Sequence, residues 1–219
     1  MQMTAPPSKE EIVSTVKGRV RIRSFCRPAE IRRYDFDREF NARVDYKSLY
    51  TRKQSLVENA RLADANVVLA LAHPSRIIGF GVLAYPESDE RWSDLGPQIM
   101  MEIKAIEVAR SWRSVGIASR ILKMLVGDPT NEDKILYMVG YSWTWDLAGT
   151  EKTAREYRAM LMHLFESCGF QQYQTNDPNV CLKPENVLMC RAGKNISQTT
   201  KDRFKWLRFG LSPWTWKVG

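Results

Sequence analysis

The amino-acid sequence predicts one mixed α/β domain of the α+β kind, in which helices flank a mixed, mostly antiparallel sheet. Three observations predict it. The 219 residues suffice for one sizeable core, and contents of 44% hydrophobic and 26% charged residues match ordinary globular proteins. Two short apolar runs in the middle of the chain predict a β-hairpin. After the hairpin, the hydrophobic period alternates between that of a strand and that of a helix.

The N-terminal half contains the predicted hairpin and two further elements. Residues 1–15 are polar and are expected to be a disordered tail. Residues 16–25 alternate apolar and arginine side chains, which predicts a half-buried strand with a basic outer face. Residues 46–62 have helical periodicity. The apolar runs 67–72 and 77–85 are joined by His-Pro-Ser-Arg, a sequence typical of turns, and should pair as antiparallel strands.

The C-terminal half alternates strand and helix patterns. Glycine and proline clusters separate the elements, and Gly169 follows one helix in the usual position for a stop. The predicted strands are 100–109, 135–141, 170–174 and 186–190, and the predicted helices are 117–126, 153–168 and 198–209. We expect residues 16–192 to form the domain and residues 193–219 to form a helical extension packed on it.

Composition excludes several function classes. The net charge is +8, but the basic residues are spread along the chain without a long Lys/Arg block, which argues against a nucleic-acid partner. No apolar run approaches the roughly 18 residues of a membrane span, so no membrane partner is expected. The first residues lack the apolar core of an export signal, which favours a cytoplasmic protein.

Cysteine and histidine patterns argue against metal, disulfide and triad chemistry. The four cysteines form no C-x-x-C pair, so four free thiols are expected. The two histidines, His73 and His163, lie in no metal-ligand or nucleophile pattern. The sequence therefore predicts no metal site.

One segment has the pattern of a phosphate-binding turn. Residues 113–118 have the sequence Arg-Ser-Val-Gly-Ile-Ala, which follows a predicted strand and opens a predicted helix. Such a turn directs backbone N–H groups and the helix dipole at one point, and Gly116 and Ala118 leave room for a diphosphate. An ordinary strand-to-helix turn is the alternative. No Gly-Lys-[Ser/Thr] follows the glycine, so the segment is not a P-loop. Its mid-chain position also argues against a dinucleotide fold.

The same segment resembles a known family. Residues 108–118 are similar to the acetyl-CoA signature of GNAT acetyltransferases, and residues 164–170, Leu-Phe-Glu-Ser-Cys-Gly-Phe, resemble that family's helix end. The two motifs occur in the family's order and distance, and the resemblance covers roughly residues 16–190. A narrower likeness, to the bacterial acetoin-utilisation subfamily of protein acetyltransferases, is found at residues 102–108, 141–147, 186–197 and 206–209.

The resemblance implies the GNAT fold, with its sheet splayed at the cofactor site, and acetyl-CoA as co-substrate without a metal. It also implies direct attack of an amine on the bound thioester, which requires positioning, proton removal and oxyanion stabilisation. Strand backbone would hold the pantetheine arm, and the turn would hold the diphosphate. The implied cofactor-binding residues are Ile106, Glu107, Val108, Arg113, Ser114, Val115, Gly116, Ile117, Ala118 and Ser119.

Catalytic roles are implied for three side chains. Glu102 lies where some protein-lysine acetyltransferases of the superfamily have their general base, and Glu107 is the reserve candidate with the opposite strand parity. A glutamate at a strand end, in water or paired with a neighbour, is the alternative for Glu102. Tyr157 is the candidate general acid, although its position on an apolar helix face is typical of a core residue. Phe165 occupies the position of the family's usual acidic tyrosine, so that hydroxyl is missing.

Three aromatic residues alternate after the strand predicted at 135–141. Tyr141, Trp143 and Trp145 would share one face if that strand continued, either walling an acceptor site or, as alternating aromatics more often do, joining the core. The core interpretation is favoured.

The subfamily likeness implies a protein-lysine substrate, namely acetyl-CoA synthetase. A small-molecule amine acetyltransferase is one alternative, and the basic net charge favours an acidic protein surface over a cationic small molecule. A non-catalytic acetyl-CoA-binding regulator is another, favoured by Phe165. The oligomeric state stays open.

Overall fold

The computed structural model describes residues 7–41, 52–73 and 75–211. These residues fall into two compact units, each made of two stretches of chain. The first unit comprises the described residues of Met1–Ala84 and Ile103–Gly127, and the second those of Tyr85–Glu102 and Asp128–Gly219. Within the described ranges, no helix combines the length and the apolar character that crossing a membrane requires.

The first unit contains five complete strands, most of a sixth and three helices. Their bounds are β1 Glu10–Thr15, β2 Gly18–Arg23, α1 Pro28–Arg33, β3 Asp35–Phe36, α2 Lys53–Asn59, β4 Asn66–Ala72, β5 Arg76–Ala84, β6 Met100–Val108 and α3 Ile117–Val126. β1 pairs with β2, β2 with β4, and β4 with β5, all antiparallel, whereas β3 pairs with β5 in parallel.

The second unit contains the start of β6, three more strands and three more helices. Their bounds are β7 Ile135–Gly140, α4 Ala154–Glu166, β8 Gln171–Tyr173, α5 Pro178–Cys181, β9 Val187–Ala192 and α6 Gln198–Leu207. β6 pairs with β7 in parallel, and β9 pairs with β7 and β8 antiparallel. Each unit thus has helices against a mixed, mostly antiparallel sheet, which confirms the predicted fold class. The predicted splay at the cofactor site stays a prediction.

The N-terminus differs from the expectation. Instead of one strand over residues 16–25, two strands form a hairpin whose turn holds Val16, which is 96% exposed. The tail expected over residues 1–15 is therefore wrong for Glu10–Thr15. This strand was missed because Val13 is its only buried residue, so its apolar pattern is weak. The remaining domain boundaries, at residues 192 and 193, stay predictions.

The middle of the chain also differs in detail. The hairpin of β4 and β5 is confirmed. The helix expected over 46–62 lies partly outside the described residues, which resume at Arg52, and its described part is α2. The sequence patterns did not predict α1, a six-residue helix that begins at Pro28 and buries only Ile31.

A β-bulge in β5 sets which side chains face which layer. Ala70 is opposite Gly79, but Leu71 is opposite Ile77, so Ile78 is an extra residue. The insertion reverses the alternation of β5 at this point. As a result, the side chains of β5 that join the core under α1 and α2 are Ile77 before the bulge and Phe80 and Val82 after it.

The opposite face of β5 consists of glycines that receive α3. A Cβ on Gly81 would lie 2.5 Å from Ile121 Cγ2 and 2.7 Å from Leu125 Cδ1. A Cβ on Gly79 would lie 3.2 Å from both the Glu107 carbonyl oxygen and Ile121 Cδ1. The helix therefore packs directly on strand backbone, and the two glycines fix its height above the sheet.

This contact predicts a steric penalty for a single methyl group. Gly81→Ala should lower the free energy of unfolding by about 1–3 kcal/mol, because the branched side chain of Ile121 cannot move without the helix. Urea unfolding of Gly81→Ala, Ile121→Ala and the double variant would measure it. The double variant should be more stable than the sum of the two single losses predicts, since removing Ile121 Cγ2 relieves the closer of the two clashes and leaves only that with Leu125 Cδ1. Strictly additive losses would show that the two sites do not share this contact.

Candidate functional site

The connection from β6 to α3 combines a sharp turn with a helix start. A 3₁₀ turn, Arg110–Trp112, is closed by the amide of Trp112, which donates to the carbonyl of Ala109 at 2.8 Å. Ser114 and Gly116 then adopt left-handed backbone conformations, with φ of 65° and 80°. Arg113, just before them, is extended, with φ −74° and ψ 165°. Left-handed residues in a turn can direct neighbouring N–H groups toward one side, as in many anion-binding turns.

The N-terminus of α3 strengthens this geometry. Gly116 is the N-cap, no side chain caps the helix, and its first turn contains no acidic residue. The first N–H groups of a helix have no partner inside the helix and carry partial positive charge. An anionic group placed here would meet backbone donors without competition from a carboxylate of that turn.

Gly116 leaves its side of the turn open. A Cβ built on it would have no heavy atom within 4 Å, in contrast to the crowded glycines of β5. A ligand could therefore approach the main chain closely. Ile117, in contrast, is buried in the core, so only its backbone can take part in binding.

Two side chains hold the turn in place. Arg113 Nε donates to the carbonyl of Val108 at 2.9 Å, which ties the turn to the end of β6. The amide of Ser111 donates to Glu39 Oε2 at 3.0 Å. The sequence did not point to Glu39, because it lies 72 residues before its partner and belongs to no motif.

Strand β6 carries both candidate bases on opposite faces. Glu102, Lys104 and Ile106 alternate as half-buried residues along one face. Glu107 has the opposite parity, as expected, and is only 9% exposed. Its parity is that of Ala105, which belongs to the core of the first unit. Glu107 lies in the first unit with the turn, whereas Glu102 lies in the second.

Glu102 has two tyrosines in its electrostatic environment. Its register partner on β7 is Tyr137, whose hydroxyl donates to Glu90 Oε2 at 3.4 Å. Burial, and then the charge of Glu102, raise the pKa of Tyr137. Burial raises the pKa of Tyr141 to about 12, with smaller contributions from the charges of Asp177 and Glu102. Both phenols are therefore neutral at physiological pH.

The aromatic residues after β7 do not form one stripe. The strand ends at Gly140 and a 3₁₀ turn follows, so the alternation is broken. Tyr141 and Trp143 stack on each other with ring centroids 4.7 Å apart, and Lys183 Nζ lies 4.8 Å from the Trp143 ring centroid. Trp143 is 55% exposed, so the core interpretation is wrong for this residue.

Trp145 instead packs against α4. Its ring stacks on Tyr157 at 5.0 Å, and both side chains are half-buried. Near the end of α4, Phe165 is 2% exposed and meets Phe170 edge to face at 5.1 Å. Phe165 is thus a core residue that offers no proton.

The four thiols are all free, as predicted. Burial raises the pKa of Cys26 to about 12 and also raises the pKa of Cys190. Among the described side chains, no group of three or more His, Cys, Asp or Glu residues could hold a metal ion.

Comparison with solved structures defines the fold. No family model matches the chain. The structural alignment with the GNAT domain of S. lividans PAT covers 83% of this chain and 96% of that domain, with a TM-score of 0.53 and 13% sequence identity. This likeness shows the fold, and the glycine turn lies between strand and helix as the GNAT signature requires. The chain therefore has the fold of the GNAT domains.

Curated relatives define the family. The acetoin utilization protein AcuA of Bacillus licheniformis is 32% identical over 197 residues, which are 90% of this chain and 92% of that protein. The crystal structure of an acetoin utilization protein from Exiguobacterium sibiricum aligns with a TM-score of 0.86 and 26% sequence identity. The alignment covers 95% of this chain and 97% of that protein chain. The chain belongs to the AcuA family of acetoin utilisation proteins.

Proposed function

We propose that this chain is an acetyl-CoA-dependent N-acetyltransferase that acts on a protein lysine, with acetyl-CoA synthetase as the candidate substrate. The observation that carries the proposal is the open turn at Gly116, which precedes an uncapped helix N-terminus without acidic residues. Membership of the AcuA family supports a role in acetoin utilisation, as the name of the B. licheniformis relative states.

The residues of the turn fit coenzyme A. Its diphosphate is an anion that backbone N–H groups of Val115–Ser119 would bind at the helix N-terminus. The pantetheine arm would follow the backbone of Ile106–Val108, in line with the turn. When bound, acetyl-CoA supplies the thioester that carries the acetyl group. The roles of Arg113 and Ser114 are main-chain and structural, since Arg113 Nε already holds the Val108 carbonyl.

Glu102 is the proposed general base. A lysine ammonium with an ordinary pKa of about 10.4 must lose a proton before its nitrogen can attack. Glu102 is half-buried on strand β6. Neutral Tyr137 and Tyr141 lie in its environment and do not compete for a proton. Glu107 remains the reserve base, although its burial limits access to an incoming amine.

Tyr157 is the proposed general acid toward the thiolate that leaves. Its stacking on Trp145 fixes the ring, and its half-buried position leaves it closer to solvent than a core tyrosine. Phe165 is excluded as a proton donor by its chemistry.

Direct transfer is favoured over an acetyl-cysteine intermediate. The thiolate is the nucleophilic form, and the raised pKa values of Cys26 and Cys190 make that form scarce. Cys168 contacts the hydroxyl of Ser167, which is not an activating base. Four free thiols also suit a reducing compartment, so a cytoplasmic location is part of the proposal.

Two substitutions of Gly116 would test the cofactor site. Gly116→Ala and Gly116→Leu share the strain of a side chain at φ 80°, which costs roughly 1–2 kcal/mol of stability in each. Only the leucine fills the space that a diphosphate needs. Calorimetry should show that Gly116→Leu abolishes acetyl-CoA binding, while Gly116→Ala retains part of it. Equal affinities of Gly116→Leu and the unaltered chain would refute the assignment.

Glu102→Gln would test the base. The amide keeps the shape and removes the basicity, so turnover should fall roughly 10²–10⁴-fold at neutral pH. Acetyl-CoA affinity should stay nearly unchanged, and activity should partly recover as the pH rises, because more of the lysine is then neutral. The parallel variant Glu107→Gln is the comparison. Near-normal turnover of Glu102→Gln, with loss in Glu107→Gln, would transfer the role to Glu107.

The acceptor is tested by labelling. The chain, incubated with radiolabelled acetyl-CoA and purified acetyl-CoA synthetase, should place label on a lysine of the synthetase, identified by mass spectrometry. Label on added polyamines but not on the protein would indicate a small-molecule enzyme. Cofactor binding without any transfer would indicate a regulator, and either outcome would contradict the proposal.

A further inference from the structure

The tip of the first hairpin is held rigidly. Thr15 pairs with Gly18 across a two-residue turn, and the Thr15 hydroxyl donates to the Gly18 carbonyl at 2.8 Å. The same hydroxyl accepts from the amide of Lys17 at 3.1 Å. Gly18 has φ 118°, a conformation that side chains disfavour. Lys17 is therefore presented from a fixed backbone.

The ammonium of Lys17 reaches the turn that precedes α3. Its Nζ donates to the carbonyls of Ser111 at 2.6 Å and Arg113 at 3.1 Å, which are 94 and 96 residues away in the chain. Hydrogen bonds from a charged donor are about twice as strong as neutral ones. A Cβ on Gly18 would lie 3.9 Å from the ring of Trp112, so the hairpin tip and the turn are close neighbours.

The geometry of the peptide bond gives this contact a directional effect. In a trans peptide, the carbonyl and the following N–H point in opposite directions. By holding the Arg113 carbonyl, Lys17 turns the amide of Ser114 away from the hairpin. Ser114 has φ 65°, and such strained conformations persist only where the surroundings impose them.

We infer that Lys17 is a positioning residue that holds the Arg113–Ser114 peptide in the orientation needed to bind the diphosphate of coenzyme A. This inference rests on the proposed function, which assigns the diphosphate to the turn. Lys17 acts through the backbone. Two of its three N–H groups are already directed at carbonyl oxygens, so phosphate contact is not its main role.

The competing explanation is simple charge attraction, and the hairpin offers a matched control. Arg19 lies two residues from Lys17 and is exposed, and its side chain forms no hydrogen bond or ion pair with the residues that the structure describes. Lys17→Met and Arg19→Met each remove one positive charge from the same hairpin. Only Lys17→Met releases the turn.

Calorimetry with coenzyme A and with dephospho-coenzyme A, which lacks the 3′-phosphate, would separate the explanations. Lys17→Met should weaken both ligands by the same factor, about tenfold, the size expected for losing a charge-assisted hydrogen bond. Arg19→Met should change neither affinity more than twofold, and Lys17→Arg should restore most of the loss. Equal losses in both methionine variants, or a loss confined to coenzyme A, would overturn the inference.

Amide hydrogen exchange on the ligand-free chain gives a second readout that is independent of the proposed function. Lys17→Met should speed exchange at Trp112 and Arg113, whose amides close the 3₁₀ turn, while the melting temperature stays close to that of Arg19→Met. Unchanged exchange would refute the positioning role. If the unaltered chain failed to bind either ligand, the proposed function would fail, and the exchange data would still decide the role of Lys17.

Discussion

The close approach of α3 to the backbone of β5 is the constraint on which the candidate site depends. Gly79 and Gly81 let Ile121 and Leu125 lie where side chains of β5 would otherwise be. A helix held at this height begins at Ile117, with Gly116 as its N-cap, immediately after the strained turn, and so directs its first N–H groups to the open side of that turn. The partial positive charge of the candidate site therefore comes from backbone N–H groups. Its location depends on the two glycines, Gly79 and Gly81, which have no side chains to keep α3 away.

Distant parts of the sequence converge on the same turn. Glu39 and Arg113 hold the segment between β6 and α3 through one backbone amide and one carbonyl. Lys17 adds a cation at two further carbonyls. A turn with left-handed residues is costly, and this set of contacts stabilises it. In the second unit, burial has the comparable effect of keeping Tyr137 and Tyr141 neutral beside Glu102.

Most of the fold could be predicted because its central elements are strongly apolar. Strands β4 to β7 bury most of their residues, and helix α3 buries half of its residues along one face, which gives clear periodicity. Strand β1 and helix α1 bury one residue each, so no period could indicate them. The candidate phosphate-binding turn was visible because its glycine lies within a local motif. Lys17 and Glu39 were not, because their partners are fixed by tertiary structure. Trp143 was misjudged because the end of β7 at Gly140 leaves no local signal.

The bulge at Ile78 has a consequence for how this strand can change over evolution. Ile77 before the bulge and Phe80 and Val82 after it face the same core only because the bulge inserts one extra residue between them. Loss of that residue would direct Phe80 and Val82 at α3 and place the glycines in the aromatic core. The packing on both faces of β5 would then be lost at once. A substitution in β5 alters one side chain, whereas a single deletion turns every later side chain of the strand to the opposite face. The number of residues in this strand therefore determines the packing on both of its faces.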